Sequence, residues 1–431
     1  MKTFSWGLYP KYNGKIINIY SKNDLIKYFN TYSNIIPYGN GRSYGDSAIS
    51  DYMLASKKMN YFISFDEKNG ILKCQSGVLL SEILDFIVPR GWFLSITPGT
   101  KLITIGGAIA SDVHGKNHHK EGCFSNSVIE LSLMLPNGDV IKVKNGDEMF
   151  LATCGGMGLT GYILDATIKL KKINSQFINQ YVIKNKNLLQ TFESFEKYAN
   201  FTYSVAWIDC LADKKNLGKS IIMVGEFAND FDLEYKEKKK LNVPFLFPDF
   251  ALNTYSVKLF NYMYYNVIEN SIDRPIKVHY DKFFYPLDSI NNWNRIYGKN
   301  GFTQYQFIIP KDKSFDALSE ILYEIHISGK GSFLSVLKLY GKENNNYLSF
   351  PIEGYSLALD FKIDNDIFDF LDKLDKIVLK YGGRIYLTKD ARLNKETFYK
   401  AYQKLDYFLK IRNQVDPNKK INSLQSRRLG L

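Results

Sequence analysis

Missing from this sequence is any stretch of the roughly 18 uninterrupted apolar residues that a membrane-spanning helix requires, which excludes a helical integral membrane protein and leaves at most peripheral membrane contact. The leading residues Met1-Lys2-Thr3-Phe4-Ser5-Trp6-Gly7 contain no apolar signal core, so none of the features of a secretory leader is expected. Cysteine is scarce: Cys74, Cys123, Cys154 and Cys210 lie far apart with no C-x-x-C pair. That excludes a zinc ribbon and a dense disulfide framework, and implies reduced thiols in a cytoplasmic compartment, with the inner face of the membrane as the one peripheral location. Long runs of one charge are also missing. Only Lys236-Glu237-Lys238-Lys239-Lys240, Lys419-Lys420 and Arg427-Arg428 cluster, so nucleic acid is a poor partner.

What is present is a large, aromatic, basic chain. Hydrophobic residues make up 45% and aromatics 15% of 431 residues, which argues against disorder and for two or three domains. The net charge of +12 suits an anionic, phosphate-bearing substrate.

The strongest local signal is Tyr38-Gly39-Asn40-Gly41-Arg42-Ser43-Tyr44-Gly45-Asp46, directly behind the strand-like Ile35-Ile36-Pro37. Glycine is needed where backbone turns sharply or approaches a ligand, and exposed N–H groups beside an arginine and a serine make a cradle for pyrophosphate. Two further clusters repeat the theme: Thr97-Pro98-Gly99-Thr100 through Gly106-Gly107-Ala108, and Cys154-Gly155-Gly156-Met157-Gly158-Leu159-Thr160-Gly161. Three cradles suggest one large dinucleotide held from several sides.

Short strands alternate with amphipathic helices up to about residue 175. Ser21 to Asp24 reads as a capping box for a helix through Phe29, and Ser81 as the cap of a helix over Glu82–Val88 that Gly91 breaks. Asn137-Gly138 marks a hairpin, and Tyr162 to Leu170 is expected to close the first sheet. From 176 to 383 strands such as Gln304–Ile309 alternate with helices such as Phe315–Ile327 and Ile367–Tyr381, an α+β arrangement. Within it, about 231–275 has no clean period and reads as a long mobile loop that covers an apolar ligand or touches a membrane. A C-terminal segment, 384–431, is expected to return to the first domain.

Two tempting motifs are set aside. Asp112-Val113-His114-Gly115-Lys116-Asn117-His118-His119 holds three of the five histidines, but Gly115, Asn117 and Lys116 argue against a metal site, and a polar wall beside a cofactor is favoured. Gly41-Arg42-Ser43-Tyr44-Gly45 fits the G-x-S-x-G nucleophile pattern, yet Asp46 to Asp51 offers no helix start, so a serine hydrolase is disfavoured.

The glycine clusters, the His114 run, Tyr285-Pro286-Leu287-Asp288, Gln304-Tyr305-Gln306-Phe307, Lys338-Leu339-Tyr340-Gly341 and Tyr386-Leu387-Thr388-Lys389-Asp390-Ala391-Arg392, in that order, resemble the FAD-binding flavoproteins of the vanillyl-alcohol-oxidase type. More closely the chain is similar to the decaprenylphosphoryl-ribose oxidase family, with aldonolactone oxidases as distant relatives. The resemblance implies an α+β fold with a two-part FAD-binding domain of the PCMH type over 1–175, built on mixed sheets. It implies a substrate domain with an antiparallel sheet over 176–383.

The same resemblance implies that FAD is held by Gly39, Asn40, Gly41, Arg42, Ser43, Tyr44, Gly45, Pro98, Gly99, Thr100, Gly106, Gly107, Ala110, His114, Gly115, Asn117, Gly158, Gly161, Ile163, Tyr386 and Lys389. Arg42 occupies the slot where aldonolactone oxidases carry the histidine that bonds to the flavin, so a non-covalent FAD is expected. Lys389 is implied as the charge that stabilises the reducing flavin, and Tyr44 or His114 as proton relay. Lys116, Tyr285, Gln304, Gln306 and Lys338 are implied on the substrate side, with no metal. Ala358 stands where the family member with the best-known pocket has a cysteine.

The expected reaction is oxidation of a secondary hydroxyl of a polyprenyl-phosphate-linked sugar to a keto-sugar, the first half of an epimerisation. Quinone or oxygen would reoxidise the flavin. The chain carries no visible nicotinamide fold, so a separate short-chain NAD(P)H reductase would complete the epimerisation. The alternatives are an oxygen-using aldonolactone or free-sugar oxidase, and a basic non-catalytic binding protein.

Overall fold

A computed structural model describes residues 2–233, 241–248 and 250–431. Three larger sheets organise them. The smallest is parallel, with Tyr52–Ala55 between Lys15–Asn18 and Ile35–Tyr38. Its crossover helix, Lys22–Thr31, starts with the expected capping box: Ser21 Oγ accepts from Asp24 N–H while the Asp24 carboxylate accepts from Ser21 N–H. Leu25 and Phe29, one helical turn apart, bury that helix against the sheet. The chain therefore leaves the carboxyl end of Ile35–Tyr38 straight into the first glycine loop.

The second sheet is antiparallel, in the order Val140–Lys144, Val128–Met134, Tyr162–Lys172, Ile71–Gln75, Phe62–Asp66, with Trp92–Leu94 pairing the far end of Tyr162–Lys172. The Asn137-Gly138 hairpin is present, with Gly138 at φ +92° and Leu135 N–H donating to the Asp139 carbonyl. Two expectations are corrected here. Tyr162–Lys172 is the sheet's centre rather than its closing strand; it is 11 residues long and buried along most of its length, so both its edges need partners. Ser81 is not a cap either. The helix begins at Leu80, because Glu82 reaches back to Leu79 N–H at 2.8 Å, while Ser81 N–H is taken by the Lys101 carbonyl. Gly91 ends this region as expected, at φ +74°.

The largest sheet is an eight-stranded antiparallel one, ordered Ile276–His279, Phe177–Asn185, Ser220–Phe227, Tyr203–Ile208, Ser335–Tyr340, Gly354–Lys362, Phe302–Pro310, Arg384–Ile385. Its central strands alternate cleanly. Tyr305, Phe307, Ile309, Leu337, Tyr355, Leu357 and Leu359 join one apolar core with the inner faces of helices Ser314–Ser328 and Ile367–Lys380. The opposite face carries Gln304, Gln306, Lys338, Ser356, Ala358 and Asp360, placed side by side by the register Gln304↔Asp360, Gln306↔Ala358 and Lys338↔Ser356. That polar face looks toward the glycine clusters.

Residues 234–240 and 249 of the expected loop lie outside the described residues. The remainder is not simply a loop: Thr254–Val267 is a helix, capped by the Asn253 side chain. The C-terminal stretch packs beside the parallel sheet, where Asn422 N–H donates to the Ile35 carbonyl and Arg427 to Ser50 Oγ. Among the described residues no helix is long and apolar enough to cross a membrane.

Candidate active site

The three glycine clusters meet. Gly41 sits at φ +62°, and a Cβ on Gly45 would lie 1.7 Å from the Asp390 carbonyl oxygen, so neither position tolerates a side chain. Asn40 donates to the Leu102 carbonyl at 2.8 Å, which joins the first loop to the second. Gly39 lies against Thr104, whose hydroxyl accepts from Gly107 N–H at 3.1 Å and starts the short helix Ile105–Ala110. The third cluster closes on that helix: Gly155 N–H donates to the Ile109 carbonyl and Met157 N–H to that of Ala110.

Several expected cofactor residues have an evident packing reason as well. Gly106 backs onto Ser76, Gly158 onto Pro37, Gly115 onto the Thr97 carbonyl and Gly161 onto that of Met134. Ile163 is buried beside it at the start of the central strand, and the Ser43 carbonyl accepts from Trp6 N–H. Gly99 and Gly107 differ. A Cβ on Gly99 would meet nothing within 4 Å, and one on Gly107 only the Thr104 hydroxyl. Both leave bare backbone, as a dinucleotide requires, so the site fits the cofactor that the sequence suggested, while beside Pro98 and Gly99 the Thr100 hydroxyl donates to Asp288 at 2.7 Å.

Arg42 stacks on Trp6, 3.9 Å above the ring, where burial lowers its pKa against the opposing pull of Asp288. Tyr285 and Asn117 are committed to loop geometry. The Tyr285 hydroxyl bonds Thr97 Oγ1 at 2.6 Å, and the Asn117 amide donates to the Ser95 carbonyl and the Glu121 carboxylate.

Opposite the glycines stand the lysines. Lys389 lies in the turn after Tyr386, whose N–H donates to the Gln306 carbonyl and whose hydroxyl donates to that of Ser111. Tyr44 N–H donates to the Thr388 carbonyl, and Lys389 Nζ rests 3.7 Å above the Tyr44 ring. Burial pushes Lys389 down, with Asp360 opposing and Lys338 assisting. Burial brings Lys338 to about 8, and burial plus Lys338 brings Lys116 to about 7. Lys116 is held by the Phe283 carbonyl and lies 4.3 Å above the Phe283 ring. Lys338 thus disfavours the charge of both Lys116 and Lys389 in a desolvated space, an arrangement stabilised when an anion enters.

His114 lies among them, 6% exposed, between the rings of Tyr340, Phe350 and Tyr386. Its Nε2 is 3.2 Å from the Gln306 amide nitrogen, a donor, so this ring nitrogen is the acceptor. Burial first, then Lys338, His118 and Lys389, hold the ring neutral at physiological pH. The other histidines of the run serve packing. His118 Nδ1 accepts from Gly341 N–H, and His119 Nε2 bonds the Phe201 carbonyl.

Sequence reasoning passed over Asp360 as a site residue. It is 2% exposed, accepts from the Gln304 amide at 2.5 Å, and is raised by burial against the pull of Gln304 and Lys389. The available signal was an acidic residue ending the otherwise apolar run Tyr355–Leu359, in alternation with Ser356 and Ala358. Arg428 was also missed: it bridges Asp46 at 2.7 Å and Asp390 at 2.9 Å, locking the first glycine loop to the Lys389 turn. No local pattern could have paired residues so far apart.

Comparison with known proteins bears on this geometry. A family model described as an FAD binding domain matches residues 22–144, and one described as D-arabinono-1,4-lactone oxidase matches residues 356–428. The chain is 35% identical over 413 residues to decaprenylphosphoryl-beta-D-ribose oxidase of Mycolicibacterium smegmatis, covering 92% of this chain and 89% of that protein. It is 23% identical to L-gulonolactone oxidase of Mus musculus, over 88% of this chain and 86% of that one.

Proposed function

The chain belongs to the FAD-dependent oxidoreductase family of decaprenylphosphoryl-β-D-ribose oxidase, and from that premise we propose that it oxidises a secondary hydroxyl of a lipid-linked, phosphate-bearing ribose to the keto-sugar. The observation that carries this reading is the set Lys116, Lys338 and Lys389, desolvated together with His114 and Gln306 opposite three converging glycine clusters.

Bound FAD supplies the hydride acceptor. Around it, Gly39 to Gly45, Pro98 to Thr100, Gly106, Gly107, Ala110, Gly115, Asn117, Gly158, Gly161, Ile163 and Tyr386 form the holding surface. Arg42 has no group able to bond the flavin covalently, which supports a dissociable cofactor. Lys389, fixed on Tyr44, would supply the positive charge that favours the reduced cofactor. Lys116 and Lys338 orient the phosphate, and Gln304 and Gln306 address the sugar hydroxyls. Tyr44 and His114 pass on the hydroxyl proton, His114 through Nε2 once the Gln306 amide that it accepts from turns to the sugar; a ring kept neutral by burial and cationic neighbours stores a proton poorly, which suits a relay. A separate short-chain NAD(P)H reductase completes the epimerisation, and the enzyme meets its substrate at a membrane surface.

The test is to reconstitute the protein with FAD, precipitate an aliquot with acid, and mix the remainder anaerobically with decaprenylphosphoryl-ribose. Flavin released to the supernatant and bleaching on mixing are the expected results; no bleaching overturns the substrate, and colour in the pellet overturns the dissociable flavin. The match of residues 356–428 to the lactone-oxidase model supports a second reading, which predicts bleaching by soluble aldonolactones and peroxide formation instead.

A further inference from the structure

Helix Thr254–Val267 is turned inside out relative to a normal surface helix. Its solvent face carries Tyr255, Leu259, Tyr262, Met263 and Val267, all more than half exposed and spaced as one stripe. Its inner face carries a polar residue: Asn261 is fully buried and donates to Asp209 at 2.7 Å, while Tyr264 packs edge-on against Trp207 at 4.9 Å. The stretch before it exposes Phe245, Leu246 and Phe250 as well. An apolar stripe of this kind in water calls for a low-dielectric partner.

The surroundings say which partner. Lys258 is the helix's one charged residue, and Lys219 and Lys184 lie 3.8 and 4.4 Å above the ring of Tyr265 on the same helix, so the stripe has a basic rim and no acid of its own. Tyrosines beside aliphatic residues with lysines at the edge are the composition of a helix lying in a bilayer interface. The helix also roofs the functional face of the large sheet, since Trp207 beneath it is in register with Val336, two residues from Lys338.

We propose that helix Thr254–Val267 docks this enzyme on anionic lipid bilayers, seating Tyr255, Leu259, Tyr262, Met263 and Val267 among the acyl chains with the lysines on the headgroups. The surface rests on the preceding reading for its purpose, delivery of a lipid-linked sugar to the lysine face, and its test needs no turnover.

FAD-loaded full-length protein is sedimented with vesicles of phosphatidylcholine alone and of phosphatidylcholine mixed with phosphatidylglycerol. Binding to the anionic vesicles that weakens with salt is expected. In Leu259→Glu/Met263→Glu protein it should fall on the order of tenfold or more, with flavin content and thermal midpoint unchanged because both positions are exposed. Lys258→Glu should lower only the preference for anionic vesicles. Absent binding by the unaltered protein, or equal binding by the double variant, overturns the proposal. So does a dimer that the double variant dissolves without any vesicle binding, which would make a second copy the occupant. Vesicle binding without flavin reduction by the polyprenyl sugar would leave this surface standing and sink the substrate assignment alone; reduction without vesicle binding would do the reverse.

Discussion

The two walls of the candidate active site are built by opposite means. On the glycine side the site exists because side chains are missing: Gly45 lets the first loop touch the Asp390 carbonyl, and Gly99 and Gly107 leave backbone open. On the sheet side it exists because charged side chains are present where water is not, with Lys116, Lys338 and Lys389 all pushed down by burial. One wall is therefore sensitive to added volume and insensitive to pH, and the other the reverse. On the proposed reading, the rigid wall would hold the cofactor and the electrostatic one would respond to the chemistry.

The sharpest break in that contrast should come from Gly45→Ala. Its methyl group would overlap backbone that Arg428 pins through Asp390, so a cost on the order of 3 kcal/mol and loss of bound flavin are expected, read by thermal unfolding and flavin absorbance. Gly99→Ala, in open space, should leave the thermal midpoint where it is.

Lys389→Met tests the other wall. Flavin reduction should slow on the order of a hundredfold or more in stopped-flow absorbance, while the thermal midpoint of the apo-protein changes little, because the desolvation cost of the lysine is only partly offset by its attraction to Asp360. A large fall in stability would show that the lysine is structural.

A smaller effect should appear with pH. Lys338 and Lys116 have folded pKa values of about 8 and about 7, below the usual lysine value, so between roughly pH 7 and 10.4 the unfolded chain binds more protons than the folded one. Apo-protein stability contributed by these groups therefore rises with pH across that window, whereas affinity for a phosphate-bearing substrate falls as they lose charge. Lys338→Met should flatten both trends; a substrate KM independent of pH would count against the phosphate role.

The smallest change is Ala358→Cys, opposite Gln306 on the functional face. The four natural cysteines are buried, so the unaltered protein should resist a thiol-directed reagent and the variant should gain one mass adduct that substrate blocks, with less than about 1 kcal/mol change in stability.

The glycine wall was readable from the chain because its residues are contiguous and glycine means something wherever it occurs. The capping box at Ser21 and the hairpin at Asn137-Gly138 were readable for the same reason: their chemistry closes within a few residues. The Ser81 cap failed because Glu82 caps the helix at Leu79 N–H and the Lys101 carbonyl, from another loop, takes the Ser81 N–H. Helix Thr254–Val267 was read as part of a loop because its apolar residues face outward and its buried face holds Asn261. Asp360 went unassigned because its meaning depends on Gln304 across the sheet.

By itself the sequence determined the family, the three cradles and the alternation that separates the apolar from the polar face of the large sheet, since each is encoded in neighbouring residues by backbone sterics and period. Only the tertiary structure decided that Lys116, Lys338 and Lys389, more than 270 residues apart at the extremes, would share one desolvated space, and that Arg428 would lock Asp46 to Asp390. Charge acquires its strength from burial and from distance to other charges, and neither quantity exists until the chain has folded.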